Sequence, residues 1–178
     1  MSGLPAWLDD RAALAKAHRA SLAVASAWRA SEPYQALFAR FDALPPGDAE
    51  AVAAEAAALF ADTAWLTALL APWMTALAGD DAFEPPLRAR RDPLSIGAML
   101  FDHPAVSISA TSVSADALTA SPVPRTVVVP GRLSVVRYHR AGGARWRQWQ
   151  AEAIAPGFTV RGAAPCRRLP DQRLGDGM

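Results

Sequence analysis

The sequence predicts an α+β protein: an N-terminal antiparallel cluster of helices, then a mainly antiparallel sheet or partial β-roll. Three observations predict it. Apolar residues recur at helical spacing through the first eighty residues, between clear stop signals. Past residue 93 the period falls to two, Val106, Ile108 and Ala110 alternating with Ser107, Ser109 and Thr111. Pro130-Gly131 and Gly142-Gly143 then punctuate the later apolar runs as turns.

The elements follow in order. From about Pro5 to Ala30 the chain is alanine-rich, without internal proline or glycine, and Trp7, Leu14, Leu22 and Trp28 fall roughly on one face. Ser31 is the expected cap of a second helix, with Pro33 in its first turn, where a missing N–H costs nothing. Leu37, Phe38, Phe41 and Leu44 form its stripe, and Pro45-Pro46-Gly47 ends it. Asp48 and Asp62 are the caps expected for a third and a fourth helix. Pro72 should kink or split the fourth, and Gly79 should stand just past its end.

Leu94 to Phe101 reads as a strand approaching another backbone at Gly97, and Ala115 to Ala120 as a helical turn. Thr126 to Val129, Leu133 to Tyr138 and Arg145 to Ala151 read as a three-strand meander. The tail, Pro156 to Met178, is expected to wrap the sheet or to move freely, and its ending resembles a turn entering a further strand. The organisation is thus a helical region 1–80, a linker 81–93 and a β-rich region 94–178, read as separate parts or as one composite domain.

Net charge is +1, which by itself demands no polyanionic partner. Its distribution is uneven: residues 1–92 hold 12 acidic and 8 basic side chains, residues 93–178 hold 5 and 10. That asymmetry favours an anionic partner for the later half, or docking of one half on the other. Cys166 is the single cysteine, so no intramolecular disulfide framework exists. The N-terminus lacks a basic region and meets Asp9 and Asp10 at once, unlike a signal peptide. These features set a cytoplasmic expectation. Thr63 to Gly79 is 17 residues without a charge, but Pro72, alanine and threonine make it a core helix rather than a membrane span.

Two stretches, Arg91-Asp92-Pro93-Leu94-Ser95-Ile96-Gly97-Ala98-Met99-Leu100-Phe101-Asp102-His103-Pro104 and Gly131-Arg132-Leu133-Ser134-Val135-Val136-Arg137-Tyr138-His139-Arg140-Ala141-Gly142-Gly143, resemble an uncharacterised bacterial family with a helical N-terminal region and a cupin-like β region. The resemblance implies a cupin-like double-sheet roll over the later half. Metal-dependent cupin-like proteins carry a His-x-His pair. Here His139 is followed by Arg140 and Ala141, and no catalytic residue carries over.

The histidines, His18, His103 and His139, show no metal-ligand spacing, and no metal or cofactor is expected. Asp102-His103-Pro104 reads as a strand-ending turn before it reads as an acid–base pair. Ser107, Ser109, Ser112 and Ser114 lack a nucleophile elbow. Cys166, between Pro165 and Arg167-Arg168, reads as an incidental thiol.

The informative feature is an arginine–aromatic ribbon. From Ala117 to Ala151 there is no acidic residue and there are six arginines. The candidate ligand or anion contacts are Arg137, His139, Arg145, Trp146, Arg147 and Trp149. Trp146 and Trp149 fall on opposite faces of a regular strand.

The expected function is a non-catalytic binding or assembly protein. One alternative is a cupin-like enzyme acting on a small molecule, another a nucleic-acid-binding protein. A homodimer is expected from surplus aromatics and an open sheet edge, with a small-molecule or protein ligand as further partner and no membrane.

Overall fold

The computed structural model describes residues 10–80, 83–85, 87–122, 132–159 and 161–178. It divides into two compact units, Met1–Val113 and Ser114–Met178. Helices come first and antiparallel strands follow, the α+β order the sequence predicts. The division falls after Val113, so the first three strands belong with the helices. Trp7, Arg125, Thr126 to Val129 and Pro130-Gly131 lie outside the described residues.

In the first unit, α1 (Arg11–Arg29) begins where Asp10 accepts the N–H groups of Ala12 and Ala13, at 2.9 and 3.1 Å. Its buried stripe differs from the expected one. Ser21, Ala25 and Trp28 face inward while Leu22 is 51% exposed, because small residues let the neighbouring helix approach closely. Trp28 Nε1 donates to the Leu69 carbonyl at 2.7 Å, so burial leaves its polar edge satisfied.

Helix α2 (Glu32–Asp42) starts at Ser31, with Pro33 in the first turn. The Ser31 hydroxyl is not a side-chain cap: it donates back to the Trp28 carbonyl at 2.6 Å, bonding the end of α1 instead. Asp48 caps α3 (Ala49–Ala61) by accepting from Ala51 N–H at 2.9 Å. Asp62 stands one residue before the cap position of α4 (Ala64–Gly79), held by Thr63, yet its carboxylate accepts from Ala64 N–H at 2.9 Å. Pro72 does not split α4, which is one 16-residue element with the proline on its exposed side. Gly79 is the last helical residue rather than a left-handed cap, and Asp80 ends the helix in extended backbone.

The sheet of this unit has the order β1-β2-β3, antiparallel throughout: β1 (Ala89–Arg91), β2 (Ser95–His103) and β3 (Val106–Val113). The β2–β3 register shifts between Met99 and Phe101, leaving Leu100 as the extra residue. The bulge turns two consecutive side chains, Leu100 and Phe101, toward the core. Gly97 is the close approach the sequence indicates: a Cβ there would stand 2.9 Å from Thr111 Oγ1 and 3.3 Å from the Ala110 carbonyl.

Rings fill the core between helices and sheet. Trp28 meets Tyr34 and Trp73 edge-on, both with centroids at 4.8 Å, and Tyr34 reaches Phe101 at 5.3 Å. Among the described residues no single helix is long and apolar enough to cross a membrane. Helices α3 and α4 reach that length and apolarity only together, and they are bent by 75° at the break between them.

The second unit opens with α5 (Ala115–Ala120), capped by Ser114. Among the described residues four two-residue strands follow: β4 (Arg145–Trp146), β5 (Trp149–Gln150), β6 (Arg167–Arg168) and β7 (Gln172–Arg173). Among the described residues, the second and third strands of the expected meander do not form as read. Leu133 to Tyr138 is not a strand. Leu133 and Val136 are 62% and 55% exposed, so its β-branched residues find no sheet face to bury. The main-chain N–H of Tyr138 donates to the Met178 carbonyl at 2.6 Å, and the Tyr138 carbonyl accepts from Gly177 N–H at 2.7 Å. Arg145 to Ala151 is likewise broken into β4 and β5, which pair with the tail.

A candidate anion-binding face

Gly142 and Gly143, with φ of 58° and 75°, turn the chain into β4 in a conformation that side chains disfavour. From there residues 144–150 run antiparallel to residues 167–174. Arg145 faces Arg173 and Trp146 faces Gln172. Trp149 faces Arg168 and Gln150 faces Arg167. Leu174 N–H donates to the Ala144 carbonyl and Leu169 N–H to the Gln148 carbonyl, both at 2.9 Å, so the two short pairings are parts of one irregular ladder.

The register changes by one between those pairings. Two residues, Arg147 and Gln148, stand opposite three, Leu169, Pro170 and Asp171. Proline offers no N–H to a ladder, which suits an interruption there. The extra residue decides which side chains meet. Cross-strand partners share a face, and one inserted residue reverses the alternation beyond it. Arg145, Arg147 and Trp149 alternate on one side of the first strand. Their partners Arg173 and Arg168 lie on that same side, although an odd spacing in a regular strand would separate them.

Asp171 lies among these arginines. Arg168 Nη2 donates to its Oδ1 at 2.6 Å, and Arg147 Nε lies 4.0 Å from its Oδ2. Its carboxyl is held below the usual range, first by the Arg168 hydrogen bond; desolvation opposes this, and the charges of Arg168, Arg147 and Arg145 add to the lowering. Arg168 and Arg147 thus reach one carboxylate, Arg145 acts on it through its charge, Arg173 stands opposite Arg145, and all four arginines are exposed. The face carries surplus positive charge in a geometry that accepts oxyanions bidentately.

Of the six expected contacts, Arg145, Arg147 and Trp149 come together on this face, with Trp149 half-buried. Trp146 points the other way, 42% exposed and edge-on to Tyr138 at 6.3 Å. Arg137 and His139 lie on the adjoining segment, Arg137 half-buried close to Gly177 and His139 exposed. Sequence reasoning missed Arg168, Asp171 and Arg173. The signal available was a tail with three arginines and one acid between residues 167 and 173.

Other candidates read differently in three dimensions. His103 is 8% exposed and enclosed by Phe38, Phe41 and Phe101. Its Nδ1 accepts from Ala105 N–H at 3.1 Å, closing the two-residue turn between β2 and β3. Cys166 is exposed and free. A 280 Å³ depression in loop 152–163 is lined by Glu152, Pro156, Phe158 and Thr159. Among the described residues no three His, Cys, Asp or Glu side chains gather as a metal set.

No family model matches this chain, and no curated protein or solved structure matches it either.

Proposed function

We propose that this chain is a binding protein whose C-terminal unit engages an anionic partner. The supporting observation is the hairpin on which Arg147 and Arg168 pair with one carboxylate, Asp171, while Arg145 and Arg173 stand opposite each other beside them. The charge of the unit agrees. Residues 114–178 hold ten basic and four acidic side chains, against eight and thirteen in residues 1–113. Guanidiniums on such a surface displace the counterions of a polyanion, and affinity then falls steeply with salt. Inorganic polyphosphate is the direct probe. The full chain is expected to bind it at low salt. Replacing Arg145 and Arg173 together by Gln should flatten the dependence of log affinity on log salt by about two. Absence of binding even at low salt would end this reading.

A second reading is favoured by β3. Met99 N–H donates to the Arg88 carbonyl and Asp92 N–H to the Ser95 carbonyl, so odd positions of β2 address β1 and even ones address β3. The main-chain groups of Ser109, Thr111 and Val113 therefore point outward, and all three residues are exposed. The strand carries no charge and no proline, whereas β1 at the other edge carries Arg90 and Arg91. Edges of this kind are templates for strand addition. An uncharged strand pairs antiparallel with its own copy without opposing like charges, which is the case for a weak homodimer. Sedimentation across a concentration series tests it, and Thr111→Lys should shift the distribution toward the monomer.

A further inference from the structure

We infer that the anionic partner is a single strand of nucleic acid, with phosphates on the four arginines and a base against Trp149. This rests on the anion-binding reading and adds the class of ligand. Three observations point the same way.

The first is extent. Residues 145–149 span about 13 Å at strand rise, with guanidiniums at both ends of the ladder. A single phosphate engages one end. A linked series of phosphates engages both.

The second is the aromatic ring on the charged side. Trp149 is the cross-strand partner of Arg168, and Arg168 holds Asp171. A half-buried indole among guanidiniums offers an apolar plane beside the positions where phosphates would sit. Charge along a groove with an aromatic plane is how single strands are bound without sequence preference. A duplex hides its base planes within the stack and has no use for the ring. An acidic peptide satisfies the arginines and likewise leaves the ring without a role.

The third is Asp171 itself. It pairs with Arg147 and Arg168 and holds those two guanidiniums at one point. An incoming phosphate meets guanidiniums already directed at an oxyanion, and it competes with Asp171 for them.

Fluorescence anisotropy with the full chain tests this using six probes: dT12, rU12, a twelve-residue abasic strand of equal phosphate count, a twelve-base-pair duplex, polyphosphate and polyglutamate. Tight binding of dT12 or rU12, with the abasic strand weaker by about tenfold or more, supports the inference. The comparison of dT12 with rU12 then identifies the strand type. Quenching of tryptophan emission by dT12, lost in Trp149→Phe but kept in Trp146→Phe, supports it independently. Equal affinity for the abasic strand, the duplex or polyglutamate overturns the single-strand assignment and leaves the anion-binding reading standing. ATP competing as well as dT12 does the same in favour of a free nucleotide. Failure of all six probes to bind overturns both.

Discussion

Among the described residues, Asp92 and Asp171 are carboxyls held below the ordinary range, by different means. Asp92 accepts from Leu94 N–H and Ser95 N–H and from the Ser95 hydroxyl, and the two backbone bonds are the largest cause of its shift. Asp171 is lowered first by Arg168. A carboxyl depressed by folding stabilises the folded state above its unfolded value near 3.8, and loses that contribution as pH falls through the lower folded value. Side-chain carboxyl resonances followed by NMR should therefore titrate below 3.8 for both residues, with Leu94 and Ser95 amides moving alongside Asp92. Asp171 has a second consequence, because it competes with any anion for the same guanidiniums. Asp171→Asn is expected to raise affinity for polyphosphate several-fold at low salt, and an unchanged affinity would show that the arginines there do not take the ligand.

Elements differ in how far their partners lie along the chain, and that decided what was legible. Caps at Asp48 and Asp62 are local, since the donor sits two or three residues away, and both carboxylates do accept helix N–H groups. Ser31 looks equally good in sequence, yet its hydroxyl bonds backward to Trp28, a choice only the α1–α2 junction explains. Gly97 was legible because a glycine within an apolar strand has few reasons to be there, and Thr111 Oγ1 occupies the space a Cβ would need. Gly97→Ala is expected to destabilise the first unit by about 1–3 kcal/mol through overpacking. Adding Thr111→Ala should recover most of that loss in thermal melts, whereas equal melting of the single and double variants would locate the strain elsewhere. The hairpin of residues 144–150 with 167–174 was not legible. Its strands are two residues long, their partners lie 17 to 28 residues apart, and the register turns on one extra residue near Pro170. Arg145, Arg147 and Trp149 could be singled out from composition, but that Arg168 and Arg173 share their face depends on that insertion. Leu133 to Tyr138 shows the reverse error: its β-branched composition reads as a strand, yet the segment forms none.

At the scale of the whole chain, a net charge of +1 conceals two units of opposite sign, −5 over residues 1–113 and +6 over residues 114–178. Charge that cancels in the sum does not cancel between neighbouring molecules. The basic unit of one molecule attracts the acidic unit of the next, and added ions weaken that attraction over the Debye length, about 10 Å at 0.1 M salt. The consequence is colloidal. Solubility near neutral pH should rise with moderate salt, and a solution turbid in dilute buffer should clear as sodium chloride is added. Turbidity measured against ionic strength reads this directly, and a flat profile would mean that the two charges are already spent on each other within the same molecule.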